Sequence, residues 1–302
     1  MQKNFVRTLP LYECVAADEG DVRKVECKKR MVCFAAAIMG VLQIGFTAFW
    51  TVQNSSAEPQ SADIKYKLEL FSGGLKNLRA SFNAEQIALL EKINRRDLAH
   101  LVRPNALVIP LQWTGRELDY SPFPSRYTWA EKYPKALVVD LPSQAFGAYE
   151  YGRLVHWGPV SSGRKDRPTP SGLFHLTWRT RGRHSTVNRE WYMPWYFGFD
   201  NKHGLSLHQY DLPGYPASHE CIRLLESDAR WLYDWGEEWQ LDKKGWKVLK
   251  PGTPLFICGS YDHASQPPWR SLEWLAHGIR LPDDPLSLRS KQYRQMRVYG
   301  RG

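Results

Sequence analysis

Short apolar runs separated by Pro, Ser or Gly fill the chain from residue 136 onwards and constrain its fold more than any other feature. Runs of this length form β-strands and are too short for most helices. The candidate strands are 137–140, 145–149, 153–157, 172–178, 205–208 and 254–258. One clear helix is predicted from Ser227 to about Gly236. Because 43% of the residues are hydrophobic and 13% aromatic, we expect a mainly β fold with a few helices rather than a disordered chain.

An uncharged apolar segment lies near the N-terminus, at residues 31–52, and Gln43 is its one strongly polar residue. At about 1.5 Å per helical residue this segment is long enough to cross a bilayer. The basic run at 28–30 predicts that the N-terminus stays inside and that the rest of the chain is exported. A cleaved signal peptide is the alternative, because the small residues at 55–57 suit a signal peptidase.

The net charge of the chain indicates which partners it can bind. A formal net charge of +10 favours nucleic acid, anionic lipid or an anionic wall polymer as the partner, and export makes nucleic acid the least expected of the three.

Three of the five cysteines lie in or before the apolar segment, so only Cys221 and Cys258 remain in the body of the chain and no disulfide framework is predicted. Cys258 ends a predicted buried strand and is expected to be a core residue.

Cys221 has different neighbours, because His208, His219 and Arg223 lie in the same stretch of sixteen residues. A cysteine attacks as the thiolate, and a nearby imidazole or cation lowers the pKa of its thiol. An imidazolium can protonate a leaving amine, and backbone N–H groups around Cys221 can bind an oxyanion. These residue types therefore suit nucleophilic acyl transfer.

Two other interpretations stay open on the residues alone. His203, His208, His219 and Cys221 are side chains of the types that bind zinc. The short spacings typical of metal ligands, CxxC and HExxH, are absent around Cys221, and therefore no metal site is predicted. The second interpretation is that these side chains are ordinary core and turn residues.

Several motifs, in the same order, resemble those of the YkuD-type L,D-transpeptidases of bacterial cell-wall synthesis. The run from Ser218 to Arg223, SHECIR, is similar to the Ser-His-Gly-Cys signature that follows an upstream His in this family. Four further segments resemble the family's opening hairpin, its TPxGxF turn, its Trp-x-Met-Pro motif and its closing Gly-Thr-Pro-Val strand: 136–163, 168–174, 191–195 and 252–255. The likeness covers residues 136–259.

The resemblance implies a β-sandwich-like catalytic domain in which Cys221 is the nucleophile, His208 forms an ion pair with it and His219 supports the site. Arg223 would orient the loop or bind a substrate carboxylate. Other positions that would bind substrate or support the oxyanion are Ser218, Glu220, Trp191 and Met193. The implied enzyme uses no cofactor. It transfers the acyl group of a peptidoglycan stem peptide to the amine of a second stem peptide or of a lipoprotein.

Glu220 departs from the family motif, which has Gly at this position. Gly usually serves a positive φ or a close backbone approach, and a carboxylate aimed at Cys221 would oppose thiolate formation. We expect the Glu220 side chain to point outward.

The residues and motifs leave two alternative functions open. One is an L,D-carboxypeptidase or amidase in which water takes the acyl group, and the other is a non-catalytic protein whose basic surface binds the cell wall.

The predicted organisation has six parts: a polar tail (1–30), an anchor or signal (31–52), a linker (53–66), a small helical module (67–134), the catalytic domain (135–260) and a basic extension (261–302), irregular or partly disordered from 267. Asn83 and Gln86 predict a capped helix in the module. We expect the module to be a helical cap that packs on the main domain, and a LysM module is the alternative, because residues 89–110 faintly resemble half of one. The predicted location is the inner membrane, facing the periplasm or cell wall, or the periplasm itself if a signal is cleaved.

Overall fold

Strands dominate the structure, a computed structural model that describes residues 64–283. The strands are β1 (Tyr66–Phe71), β2 (Asn105–Pro110), β3 (Ala136–Asp140), β4 (Ala145–Glu150), β5 (Arg153–Ser161), β6 (Gly172–His175), β7 (Arg179–His184), β8 (Tyr192–Asp200), β9 (Leu205–Gln209), β10 (Ile222–Leu224), β11 (Gln240–Leu241), β12 (Val248–Lys250) and β13 (Pro254–Cys258). The α-helices are α1 (Gly74–Ser81), α2 (Ala84–Asn94), α3 (Leu98–Leu101), α4 (Glu226–Trp235) and α5 (Leu272–His277). The predicted mainly β fold and the helix predicted from Ser227, now α4, are confirmed.

Nine of the described strands form one sheet in the order β6-β13-β3-β4-β5-β10-β9-β8-β7. β3, β4 and β5 pair antiparallel as a meander, which matches three of the predicted strands. β13 returns parallel to β3, and β10 runs parallel to β9. The other described strands form two small antiparallel sheets, β1 with β2 and β11 with β12.

The large sheet curls, so that strands far apart in its order share one core. Leu137 of β3, Phe197 of β8 and Leu207 of β9 are buried in the same hydrophobic cluster. Val138, the next residue along β3, belongs to a second cluster on the other face, because successive side chains of a strand point to opposite sides. The expected sandwich is therefore corrected to a single curled sheet whose two halves pack against each other.

The segment before β3 packs on this sheet. The helix α2 begins at the predicted capping box, in which Asn83 Oδ1 accepts from Gln86 N at 2.8 Å and Gln86 Oε1 accepts from Asn83 N at 3.0 Å. Its residue Leu90 lies in a small separate cluster, whereas Ile93 joins the second cluster of the large sheet. The sequence did not predict β1, because four of its six residues are exposed and no buried face appears in its pattern.

The extension after β13 is more regular than expected. A 3₁₀ turn at Pro268–Arg270 and the helix α5 follow, and Trp269 is buried at 2% exposure, which corrects the expectation of irregular chain from 267 for the described part. The predicted tail (1–30), the predicted anchor or signal (31–52) and most of the predicted linker lie outside the described residues, as do residues 284–302. Between residues 64 and 283, no helix has the length and apolar character to span a bilayer.

Candidate active site

The parallel pair β9–β10 brings the sequence-predicted residues together. Ile222 lies opposite Leu207, and Arg223 lies opposite His208. Side chains two residues apart on a strand share a face, which places Ser206 with His208 and Cys221 with Arg223 on one face of the sheet. A distance of 3.6 Å between Ser206 Oγ and Cys221 Sγ agrees with this register.

A cavity of about 590 Å³, here called the Cys221 cavity, opens on this face. All eight residues singled out by the sequence line it: Cys221, His208, His219, Ser218, Glu220, Arg223, Trp191 and Met193. The structure thus places them at one site, and their individual roles stay predictions.

The Cys221 thiol is half-buried, and its surroundings act on its pKa in opposite directions. Burial has the largest effect and raises the pKa above its usual value, because a charged thiolate is poorly solvated there. The hydrogen bond from Ser206 and the positive charge of Arg223 lower the pKa, whereas the Glu220 carboxylate raises it. The net shift is upward, and the resting cysteine is therefore mainly a neutral thiol.

His208 is 5% exposed, and burial lowers its pKa to about 4. Its Nδ1 lies 2.9 Å from the carbonyl oxygen of Gln209. Because a carbonyl oxygen only accepts, Nδ1 carries the proton of the neutral ring, and the lone pair is on Nε2. The pKa directions of Cys221 and His208 favour a neutral thiol and a neutral ring at rest rather than the ion pair that the resemblance implied. Among the described residues the thiol contacts Ser206 and Gly204, and no hydrogen bond joins it to His208.

The turn that carries Cys221 is held from several sides. Ser218 Oγ donates to the carbonyl oxygen of Cys221. Ser218 N donates to Ser162 O at 3.0 Å, next to the end of β5. Thr169 Oγ1 donates to Glu220 O at 2.8 Å. Thr169 and Ser218 therefore fix the backbone on both sides of the sulfur.

Glu220 has a φ of 80°, in the left-handed region that favours glycine. The positive φ that the family's Gly suggests is therefore present, with a glutamate adopting it. The carboxylate lies 3.7 Å from Arg167 Nη1, and the side chain is 32% exposed. We expected this side chain to point outward. It instead lines the Cys221 cavity, close enough for its charge to act on the thiol.

Aromatic rings support the cationic and imidazole groups. The guanidinium of Arg223 stacks on Tyr210, with Cζ 4.6 Å from the ring centroid. The rings of Trp191 and His219 are 6.1 Å apart between centroids, and Met193 beside them is almost buried. These contacts fix the side chains that surround the thiol and leave the cavity itself open.

Sequence reasoning missed Ser206, which is buried against the thiol, and several residues of the cavity wall. Ser206 had a usable signal, since it precedes His208 by two positions in a predicted strand and therefore shares its face. Arg167, Arg183 and Tyr196 had none, because they reach the cavity from a loop and from two other strands. Arg167 and Arg183 add positive charge to the cavity wall.

The described residues at this site do not form a cluster of zinc ligands. His203 is directed to Asp200, with Nδ1 2.7 Å from Oδ2, and it lies at the cavity rim. Between residues 64 and 283, no three or more His, Cys, Asp or Glu side chains converge as metal ligands would.

The model of the YkuD family, described as the L,D-transpeptidase catalytic domain, matches residues 134–257. No curated protein matches the chain. An L,D-transpeptidase structure from Xylanimonas cellulosilytica is 26% identical, with 58% of this chain and 80% of that chain covered and a TM-score of 0.40. An L,D-transpeptidase from Stackebrandtia nassauensis is 24% identical, with 43% of this chain and 58% of that chain covered and a TM-score of 0.35. One from Mycobacterium tuberculosis is 21% identical, with 42% of this chain and 58% of that chain covered and a TM-score of 0.33. This chain therefore spans 58% of the length of the Stackebrandtia protein.

Proposed function

We propose that this chain, whose residues 134–257 match the L,D-transpeptidase catalytic domain, is an exported L,D-transpeptidase that forms a thioester at Cys221 with a peptidoglycan stem peptide. One observation carries the proposal: Cys221, His208 and Arg223 project from one face of β9–β10 into a single cavity. A thiol, a base and a cation are the groups that acyl transfer from a peptide requires.

His208 is the base in the proposed reaction. Its Nε2 takes the thiol proton while Sγ of Cys221 attacks the carbonyl carbon of the stem peptide. The C–N bond of the tetrahedral adduct then breaks, His208 returns the proton to the leaving amine, and the acyl group stays on sulfur. The amine of a second stem peptide or of a lipoprotein attacks this thioester next. That amine gives its proton through His208 to the departing sulfur, which restores the thiol.

Cationic side chains would select the substrate. Arg167, Arg183, Lys202 and Arg223 line the cavity, and Glu220 is the one carboxylate among its described lining residues. Stem peptides carry carboxylates at their ends, and charge-assisted hydrogen bonds from guanidinium groups bind such groups well. No cofactor enters the proposed reaction.

The proposed location is the inner membrane, with the Cys221 cavity facing the periplasm or cell wall. Support comes from the sequence: the apolar segment 31–52 and the basic run at 28–30 favour a single-pass anchor with the N-terminus inside. If a peptidase cleaves after this segment, the protein would be free in the periplasm.

A second candidate function, a non-catalytic wall-binding protein, is favoured by one observation. Burial and Glu220 raise the pKa of the Cys221 thiol, so that little thiolate is present near neutral pH. A site of this kind can bind stem peptides without reacting. The same observation fits an enzyme in which proton transfer to His208 accompanies attack.

The test mixes full-length protein with muropeptides that carry tetrapeptide stems and follows adducts and products by mass spectrometry. We expect an acyl adduct on Cys221 that is absent in Cys221→Ala and present in Cys258→Ala, since Cys258 is buried in β13. A cross-linked dimer means transfer, and a shortened monomer means hydrolysis. If folded wild-type protein binds muropeptides but gives neither adduct nor product, the protein is not an enzyme of this kind and the wall-binding function is supported.

A further inference from the structure

A second large cleft, of about 670 Å³, lies outside the Cys221 cavity and shares no lining residue with it. Its walls come from β1, the end of α2, the loop around residues 116–126, the start of β5 and the helix α5. Four arginines line it: Arg95, Arg116, Arg126 and Arg153. We call it the arginine cleft.

Arg95 is 2% exposed and lines this cleft. Nε donates to Ser143 O at 3.0 Å, and Nη1 donates to the carbonyl oxygens of Lys92 and Ile93 at 2.7 and 3.0 Å. Its Cζ lies over the rings of Trp157 and Trp269, at 5.7 and 5.5 Å from their centroids. These contacts fix the guanidinium firmly, and within residues 64–283 Nη2 has no hydrogen-bond acceptor.

The charge of Arg95 is not compensated by a contacting carboxylate anywhere in the described part of the chain. Asp140 acts on it only from a distance, and its Oδ2 accepts from Ser143 N at 2.9 Å. Buried charges in proteins are ordinarily paired, since an unpaired one is poorly solvated. An anion in the cleft would supply the missing partner.

The rim of the cleft is also positively charged. Arg116 and Arg126 are about half exposed, Arg153 is exposed at the start of β5, and among the lining residues that the structure describes Asp119 is the one carboxylate. Asp119 is itself 3.6 Å from Arg116, and Arg126 pairs with Glu131 outside the lining. Positive charge therefore exceeds negative charge around the opening, which attracts an anion.

The remaining wall suits the body of an organic molecule. Tyr66, Tyr120 and Trp274 present aromatic surface to the cleft. Burial raises the pKa of Tyr66 to about 12, so that its hydroxyl stays a neutral hydrogen-bond donor beside Arg95. Pockets of several hundred Å³ that combine apolar walls with a few fixed polar groups are typical of small-ligand sites.

We propose that the arginine cleft binds an organic anion, whose carboxylate or phosphate group is held by Arg95 Nη2 and by the rim guanidinium groups of Arg126 and Arg153. The binding is noncovalent and does not involve Cys221. It stands independently of acyl transfer, because neither the residues nor the contacts of the two sites overlap.

Isothermal titration calorimetry on the full-length protein tests this. The probes are inorganic phosphate, the disaccharide of N-acetylglucosamine and N-acetylmuramic acid, which has one carboxylate and no stem peptide, and the methyl ester of that disaccharide. We expect saturable binding of the free acid or of phosphate, and the probe that binds identifies the group recognised. The ester should bind at least about tenfold more weakly than the acid, as loss of a charge-assisted contact predicts.

The variants change exposed rim arginines and leave the buried Arg95 in place, so that a loss of binding does not come from misfolding around Arg95. The double variant Arg126→Gln/Arg153→Gln changes rim side chains and should weaken binding about tenfold or more, whereas Arg103→Gln, an exposed arginine away from the cleft, should leave it unchanged. The Cys221→Ala protein should bind as the wild type does. If the free acid binds, equal affinity for the acid and its ester overturns the proposal. Equal affinity of the double variant and wild type for whichever anion binds, or no saturable binding of either anion, also overturns it.

Discussion

The hydroxyl of Thr169 donates a 2.8 Å hydrogen bond to the carbonyl oxygen of Glu220 and accepts one of 2.8 Å from Gly163 N. Thr169 is 5% exposed, so solvent competes little for these bonds. One side chain thus connects the end of β5 with the residue before the nucleophile. Because Glu220 has a positive φ, this contact helps to hold an unfavourable backbone conformation in place.

Replacement of this threonine should loosen the turn. Thr169→Val keeps the shape of the side chain and removes the hydroxyl, which leaves Glu220 O and Gly163 N without their partner. We expect the free energy of unfolding to fall by about 1–3 kcal/mol and adduct formation at Cys221 to slow. Urea unfolding and mass spectrometry of the adduct measure the two effects. Thr169→Ser retains the hydroxyl and should stay near wild type, and equal behaviour of the Val and Ser variants would contradict this role.

Glu220 offers a way to separate backbone strain from charge. Glu220→Gly relieves the positive φ and also removes a carboxylate that raises the pKa of Cys221. We expect a gain of about 1 kcal/mol in unfolding free energy and faster alkylation of Cys221 by iodoacetamide at neutral pH. Glu220→Gln removes only the charge.

The two variants at Glu220 should therefore agree in alkylation rate and differ in stability. Alkylation is followed across a pH series, which gives the apparent pKa of the thiol directly. If Glu220→Gln leaves that pKa unchanged, the carboxylate does not act on the nucleophile. If Glu220→Gly gives no gain over Glu220→Gln in urea unfolding, the positive φ stores no strain.

The parts of the site that lie close together in sequence could be predicted from the sequence alone. Ser218 to Arg223 form one continuous motif, and the short apolar runs marked β3, β4 and β5 correctly. His208 was placed on a strand, and its strand β9 pairs with β10 as that placement requires. Local patterns suffice in these cases because each residue's environment is set by its immediate neighbours in the chain.

What escaped prediction depends on contacts between distant segments. Arg167 reaches Glu220 from a loop fifty-three positions earlier, and no periodicity reports such a pairing. The burial that lowers the pKa of His208 comes from how the sheet curls, which composition does not specify. The strand β1 was missed because most of its side chains are exposed and it lacks the alternation that marks a half-buried strand.

His208 predicts a loss of stability in acid. Its pKa is about 4 in the folded protein, against about 6.5 in an unfolded chain. Between these values the unfolded chain binds a proton that the folded protein does not, so the free energy of unfolding falls as the pH drops from about 6.5 towards 4. The shift corresponds to about 3 kcal/mol for this one group.

The His208→Gln variant should lack this part of the pH dependence. Urea unfolding from about pH 7 to about pH 4 is expected to show wild type losing more stability than the variant, by up to about 3 kcal/mol. His263→Gln, at an exposed histidine, is the control and should follow the wild-type curve. Parallel curves for wild type and His208→Gln would mean that burial does not lower the pKa of His208, and the implied ion pair, which raises that pKa, would make the wild type lose less stability than the variant as the pH drops.

The last prediction concerns Lys92, which joins α2 to the large sheet. Its Nζ lies 2.9 Å from Asp228 Oδ1 and 2.6 Å from Glu117 Oε1, and it donates to Trp157 O at 3.1 Å. The side chain of Asp228 is fully buried, and its Oδ1 also lies 2.9 Å from His156 Nε2. Lys92→Met removes a cation from this group and leaves the buried carboxylate with less compensation. We expect the free energy of unfolding to fall by about 3–5 kcal/mol.

A double-mutant cycle shows whether this loss comes from the ion pair or from packing. In Lys92→Met/Asp228→Asn the uncompensated charge is gone, so the double variant should be more stable than the sum of the two single losses predicts, by at least about 1 kcal/mol. Lys76→Met, at an exposed lysine of α1, serves as the surface control and should change stability little. If the effects of Lys92→Met and Asp228→Asn are additive, the two groups are not coupled. The attachment of α2 to the sheet would then depend on the buried apolar contact of Ile93 instead.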